Sequence, residues 1–435
     1  MRDGGKIDAA IVVLQDVLNQ RTPVKDAVRD WGKRSRFAGA RDRAWISGLA
    51  LDGLRRKNSI EHAMEATGAR ALTLGALKHA WGWDVRRIEE AFKDEHAPSA
   101  LTAREREALL LAPDPSAAPH IQGDYPEWLA PHLARAFGPD AVIEAQAMAS
   151  RAPVDLRINT LKSDPEKAGR ALESVHAKSI PELINGFRIP APDAMDRGES
   201  VEAIPAYSKG WVEVQDMGSQ IAAAASCAMP GEQVLDYCAG GGGKTIAMAA
   251  MMANKGQIFS HDIDGRRLSA LIPRMERAGV RNVQLRHPKE NASLEDLKGK
   301  MDLVMIDAPC TGVGTWRRKP DAKWRVSEQA LEKRMQAQRD ILRSACAFVK
   351  PGGRLVFVTC SFLMEENEDQ VAAFLADHKD FVGGDAADAA ARSGQLTDKG
   401  AALVKKLRRP QGSVRLTPRS SGSDGFFVAV MRRVG

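Results

Sequence analysis

Over the second half of the chain, short apolar runs recur with amphipathic stretches between them. QVLDYC (233–238), GQIFSHDID (256–264), NVQLR (282–286), MDLVMID (301–307) and GRLVFVT (353–359) have strand length, and residues 327–348 carry helical spacing. Strands alternating with helices in this way predict a mostly parallel, doubly wound α/β sheet. The last run, GSDGFFVAVMRR (422–433), predicts a turn and a strand added antiparallel at an edge. Upstream the period changes. From Ile7 to about Ala112 apolar residues fall on helical stripes, Ile11, Leu14 and Leu18 on one and Trp45, Ile46 and Leu49 on another. This predicts a small all-α domain over 1–112. Pro113, Pro115, Pro119 and Pro126 then deny helix continuation, so 113–125 reads as a linker. Residues 126–209 mix two helical stretches, a strand in VDLRINTL, a charged helix near 165–175 and a short strand in FRIP, a small α/β module; GWVEVQD (210–216) is a further strand candidate where the sheet domain begins, at 210. The polar, mixed segment 383–411 predicts a surface helix and loop, with an alanine-rich stretch at 386–392.

With 435 residues and 44% hydrophobic content, more than one core is possible. The opening MRDGGKIDAAIVVL lacks the pattern of a secretory signal, and the longest apolar stretch, Ile246 to Ala253, falls short of the ~20 residues that span a bilayer. Cys227, Cys238, Cys310, Cys346 and Cys360 form no CxxC pair, which argues against a disulfide framework or a zinc site and for reduced thiols in the cytoplasm. No metal is expected. Net charge is +7, and the basic residues cluster. Nine Lys/Arg stand against three Asp from Arg29 to Lys57, and five against one from Trp316 to Arg325, patches suited to a polyanion, most simply nucleic acid. Nothing marks an oligomer seam, so a monomer is the expectation.

In open α/β sheets ligands bind beyond the carboxyl ends of strands. The loop DYCAGGGGKT (236–245) sits there, and its glycines allow a ligand to approach the backbone. It resembles a Walker A loop, but Cys238 occupies the position of the first glycine, which disfavours a nucleotide triphosphatase. Asp262 follows the next strand, where a carboxylate accepts hydrogen bonds from ribose hydroxyls; helix capping is the competing reading. Cys310 in LVMIDAPCTGVG and Cys360 in RLVFVTCSF each end an apolar run in a polar turn. Methylating carbon 5 of a pyrimidine needs a thiolate to add at carbon 6 and a base to remove the carbon 5 proton afterwards, work that two cysteines from neighbouring strand ends can share. Asp307 is placed to accept from the cytosine amino edge or protonated ring nitrogen. Cys227 and Cys346 read as small buried hydrophobes, and Cys238 as lining a cofactor pocket. In TWRRKPDAKWR, Trp316 and Trp324 alternate with basic residues, so stacking on unpaired bases competes with simple core packing.

These motifs, in this order and with DGFF after them, resemble the Sun/Nop family of RNA cytosine-5 methyltransferases, in particular the bacterial 16S ribosomal RNA enzymes with an added N-terminal domain. The resemblance is specific from Trp211 to the end, extends through RINTLK and VQDMGSQ to about Pro126, and is weaker over 1–112, which is similar to a NusB-like RNA-binding domain. It implies a Rossmann-like class I methyltransferase domain over 210–435 and an RNA-binding role for 126–209. It also implies S-adenosyl-L-methionine as cofactor, RNA (16S rRNA) as partner, and 5-methylcytosine as product. Carried over residue by residue, Cys360 is the nucleophile and Cys310 assists release, although DNA cytosine methyltransferases attack from the proline-cysteine position that Cys310 occupies. Cys238, Ala239, Gly240, Gly241, Gly242, Gly243 and Lys244 cradle the methionine part, Asp262 takes the ribose, and Asp307 lies at the methyl-transfer centre. Two departures stand out. LRHPKENAS lacks the family's Asp near the adenine, leaving Glu290 or Asn291 as substitutes, and Gly240 and Gly241 replace in part an alanine-proline pair. A transfer RNA methyltransferase and a non-catalytic ribosome assembly factor on the same fold are the rival readings.

Overall fold

In the central strands of the second half, neighbouring residues bury into opposite cores. The computed structural model describes residues 1–112, 114–193, 201–288 and 294–435. The strands are β1 Val154–Ile158, β2 Lys178–Ser179, β3 Gly186–Ile189, β4 Val212–Val214, β5 Gln233–Asp236, β6 Gln257–His261, β7 Val283–Arg286, β8 Met301–Asp307, β9 Val349–Thr359, β10 Phe381–Gly383, β11 Val414–Leu416 and β12 Phe426–Arg433. Val234, Ile258, Leu303, Met305, Val356, Val358, Val428 and Val430 enter one core. Their neighbours Leu235, Phe259, Val304, Ile306, Leu355, Phe357, Phe427 and Met431 enter the other. Such a sheet is covered on both faces, which is why its strands read as continuous apolar runs rather than alternations.

The order is β10-β12-β9-β8-β5-β6-β7, with β11 also pairing β12. β7, β6, β5, β8 and β9 are parallel, and β12 runs antiparallel to β9. After β5 the chain builds outward through β6 and β7, then returns to the other side of β5 as β8. That reversal opens a crevice at the strand ends, the usual ligand position in such sheets. β12 adds antiparallel to β9, the outermost parallel strand, as expected, and β10 and β11 then pair along its far side. Segment 383–411 is likewise more than a surface loop. It forms helices Ala386–Arg392 and Asp398–Lys406, whose Ala386, Ala387, Ala390 and Val404 are buried in the first of those cores. Alanine permits such close helix packing because it carries no bulk beyond Cβ.

A second sheet, β2-β3-β1-β4, is antiparallel throughout. Its buried Asp155 receives both Arg188 nitrogens (2.6 and 2.8 Å) and the Met217 N–H (2.9 Å), joining the sheet to helix Met217–Ala225. Glu213 of β4, also buried, pairs with Arg274 (3.0 Å) and Arg277 of helix Leu271–Ala278. β4 therefore extends this module past the expected boundary at 209.

By internal contacts the chain divides into two units, one of 153–190, 199–315 and 328–435 and one of 1–152, 191–198 and 316–327. The latter holds helices Asp3–Gln20, Val24–Arg34 and Ala40–Arg55 around Ile7, Leu14, Leu49 and Trp83. Three expectations change here. The helices Ala130–Phe137 and Ala141–Met148 fall in this helical unit rather than in the small α/β module. The proline-rich stretch is packed rather than a free linker: Tyr125 is 1% exposed, its carbonyl and that of His120 accept from Asn58, and Asp124 accepts from the Ser59 N–H and hydroxyl. Proline ends the helices there without preventing burial.

The third change concerns Trp316–Ser327. Trp316 is buried, the Trp324 indole N–H donates to the Leu54 carbonyl (2.7 Å), and Lys323 donates to the Arg55 carbonyl (2.9 Å) while lying over both indole rings. Asp321 accepts from the Val24 N–H and from Arg325. Of the two readings of this segment, core packing holds, since the aromatic faces are covered by Lys323 and Lys57. Burial pushes the Lys323 ammonium down to about 8.

Candidate active site

Four loops meet at the carboxyl ends of β5, β6, β8 and β9. The β5 loop turns through Gly240 (φ +53°) and Gly242 (φ +79°), left-handed conformations that favour glycine. A Cβ at Gly242 would lie 2.0 Å from the Leu271 side chain, so the loop packs down on that buried leucine and feeds helix Gly243–Met251. Beyond β6, Asp262 is 4% exposed; one oxygen accepts from the Gly240 N–H and the other from the Asp264 N–H, both at 2.8 Å. Each carboxylate oxygen keeps a second lone pair for a further donor. Helix capping falls instead to Asp264, which accepts from the Arg266 N–H.

Lys244 is buried in the first turn of its helix and reaches Asp307 at the end of β8 (3.1 Å), the Ser219 hydroxyl (2.9 Å) and the Phe426 ring. Past Asp307 lies Cys310, and past the end of β9 lies Cys360. Their sulfurs are 3.4 Å apart, and both residues are half-buried. Hydrogen bonding to Cys360, then burial and the charges of Cys360 and Glu366, hold the Cys310 thiol well above its usual pKa. Burial, with the carboxylates of Asp236, Asp262 and Asp307, likewise pushes the Cys238 thiol up. Asp236, wholly buried beneath the loop, is raised to about 7, chiefly by desolvation.

A cavity of about 580 Å³ is lined by Cys238 to Gly241, Gly243, Asp262, Asp307, Cys310 and Cys360, among others. The candidate residues of the sequence reading therefore line this one cavity except Gly242, which packs on Leu271, and Lys244, which reaches it through Asp307. Glu290 and Asn291 lie outside the described residues. Cys346 is buried as expected, while Cys227 is half-buried.

Several supporting residues escaped sequence reasoning. The fully buried Gln338 donates to the Pro309 carbonyl (3.0 Å), steadying the turn before Cys310. Gly314 donates to the Cys360 carbonyl (3.0 Å) and accepts from the Gly425 N–H (2.8 Å), and a Cβ on it would meet the Gly425 oxygen at 2.2 Å. DGFF is thereby fixed against both cysteine loops. Glu366 and Asn367 are entirely buried beside the same loops. In the sequence they stand in TCSFLMEENE, beside a helix start, where nothing local marks them as buried.

Residues 227–432 match the family model described as 16S rRNA methyltransferase RsmB/F. The chain is 35% identical over 260 residues to ribosomal RNA small subunit methyltransferase B of Enterobacter sp., covering 58% of each. It is 28% identical over 318 residues to the probable ribosomal RNA small subunit methyltransferase B of Synechocystis sp., covering 72% of this chain and 67% of that one. The matched portion thus spans about three fifths to two thirds of these relatives' lengths. Among solved structures, PH0851 superposes over 98% of this chain and 99% of its own with a TM-score of 0.71 at 23% identity. A methyltransferase homolog from Pyrococcus horikoshii covers 73% of this chain and 98% of its own, with a TM-score of 0.58 at 26% identity. Residues 227–432, which carry the sheet order, the glycine loop and the paired cysteines, are thus the part of this chain that is similar to the RsmB/F family of 16S rRNA methyltransferases.

Proposed function

We propose that this chain is an S-adenosylmethionine-dependent methyltransferase forming 5-methylcytosine in RNA, with small-subunit ribosomal RNA as substrate. The observation that carries this reading is the 3.4 Å approach of the Cys310 and Cys360 sulfurs on the cavity that the glycine loop and Asp262 also line. The residues present fit the cofactor. Ala239, Gly240, Gly241 and Gly243 line the cavity with little side-chain bulk, Asp262 offers two lone pairs to a ribose, and Asp307, paired with Lys244, lines the same cavity as the thiols. When bound, S-adenosylmethionine supplies a methyl group on a sulfonium, which a nucleophilic carbon can take.

The chain's own residues make that carbon nucleophilic. The Cys360 thiolate adds to cytosine carbon 6, and the electrons of the 5,6 double bond move to carbon 5. Asp307 accepts a hydrogen bond from the amino edge or from protonated nitrogen 3 as the ring gains charge. Cys310, held as a thiol in the free enzyme, donates to the Cys360 sulfur. Once that sulfur is bonded to carbon, the largest cause of the raised Cys310 pKa is gone. Cys310 then gives its own proton to solvent, and its thiolate takes the carbon 5 proton; the C–H electrons restore the double bond, and the carbon–sulfur bond breaks to return the Cys360 thiolate.

The test incubates Cys310→Ala and Cys360→Ala variants with S-adenosylmethionine and undermethylated 16S RNA, and seeks a denaturant-resistant protein–RNA adduct. An adduct with Cys310→Ala and none with Cys360→Ala is expected. The reverse would exchange the two roles, and absence of methyl transfer to any cellular RNA, with cofactor binding intact, would overturn the proposal.

A further inference from the structure

Two adjacent buried residues each grip one cysteine loop. Glu366 is 0% exposed, and its carboxylate is occupied by one neighbour of Cys310: the Thr311 N–H donates to Oε1 (2.7 Å) and the Thr311 hydroxyl to Oε2 (2.6 Å). Asn367, equally buried, holds the Cys360 turn from both sides. Its Oδ1 accepts from the Thr359 hydroxyl (2.5 Å), and its Nδ2 donates to the Ser361 carbonyl (3.0 Å). The Ser361 side chain also hydrogen-bonds Glu366. One peptide bond therefore joins the clamp on one thiol to the clamp on the other.

We infer that Glu366 and Asn367 are positioning residues that set the separation of the two sulfurs, Glu366 by fixing Cys310 and Asn367 by fixing Cys360. Neither touches the cavity; both act through the loops they hold. A fully buried carboxylate with two short bonds to one residue has little freedom, because moving it would leave those donors unsatisfied. Thr311 is thereby locked, and Cys310 with it. Replacing Glu366 by Gln keeps the volume but offers an N–H where Oε1 or Oε2 accepted, so one Thr311 donor loses its partner. The inference rests on the reading that Cys360 attacks and Cys310 serves release, and it assigns a different step to each clamp.

The experiment follows adduct formation and decay on 16S RNA for Glu366→Gln, Thr311→Val, Thr311→Ser and Asn367→Ala, with Cys310→Ala alongside and thermal unfolding of each. Glu366→Gln and Thr311→Val are expected to form adduct near the wild-type rate and release it on the order of 10–100-fold more slowly, the scale of a small misplacement of a reacting group. Thr311→Ser, which keeps the hydroxyl, releases normally, and Asn367→Ala slows formation instead. Should Glu366→Gln fail to fold, Thr311→Val against Thr311→Ser decides. Wild-type release by Thr311→Val, or equal loss of formation and release in it, overturns the inference. An absence of adduct with Cys310→Ala instead removes the reading of function on which it rests.

Discussion

The sulfurs of Cys310 and Cys360, fifty positions apart in the chain, lie 3.4 Å from one another at the ends of adjacent parallel strands. In register, Asp307 pairs with Val358, so both chains leave the sheet at the same level and turn toward the same crevice. This proximity makes the two thiols unequal, since a hydrogen bond and a neighbouring charge raise Cys310.

That inequality is readable by alkylation. Because its pKa is raised above the usual thiol value, Cys310 is expected to stay protonated at pH 8 and to react with iodoacetamide only slowly there. In Cys360→Ala the principal cause of the rise is absent, so Cys310 should label faster at pH 8. Peptide mass spectrometry on both proteins measures this, and equal labelling rates would sink it.

Gly242→Ala and Gly241→Ala separate backbone necessity from mere smallness. Gly242 has φ +79° and faces Leu271 at 2.0 Å, whereas a Cβ on Gly241 would first meet the end of the Arg274 side chain at 3.4 Å. Gly242→Ala should cost about 1–3 kcal/mol or more and weaken binding of S-adenosylhomocysteine, while Gly241→Ala keeps wild-type stability. Thermal unfolding and calorimetric titration of both variants check the contrast.

Asp236 should make stability depend on pH. Its folded pKa of about 7 exceeds the ~3.9 of an unfolded Asp, so between these values the native chain binds the extra proton. Stability then falls as pH rises from about 4 to about 7 and levels off above. Asp236→Asn removes that dependence and should gain about 1 kcal/mol or more at pH 8 relative to pH 5. Urea midpoints at the two pH values provide the measurement; parallel shifts in both proteins would contradict it.

Trp324 should matter to folding rather than to RNA stacking. Its indole N–H is committed to Leu54, and Lys57 and Lys323 both lie over its ring. Trp324→Leu is expected to destabilise by about 1–2 kcal/mol through the lost hydrogen bond and packing, with affinity for single-stranded RNA changed less than twofold. A tenfold loss of affinity at unchanged unfolding temperature would restore the stacking role.

Local pattern was enough for the doubly wound sheet, the glycine loop and the two strand-end cysteines, because doubly buried strands need continuous apolar runs and tight turns need glycine or polar residues. Chemistry alone nominated Asp262, Asp307, Cys310 and Cys360 but left open which thiol attacks. The rest depended on contacts distant in sequence. Nothing in TWRRKPDAKWR signals that it packs into the helical unit, since alternating aromatic and basic residues serve a core edge and a base-binding face equally well. The prolines of 113–126 mark where helices stop, yet burial of Tyr125 requires Asn58, far upstream, to satisfy its carbonyl. The antiparallel β12 is legible, but no short-range pattern announces β10 and β11 beside it. Glu366 and Asn367 acquire meaning only when β8 and β9 lie side by side and bring Thr311 and Ser361 to them. Propensity and hydrophobic period are properties of neighbouring residues, so the sequence carries them directly; hydrogen-bond partners across the fold exist only after the chain has closed on itself.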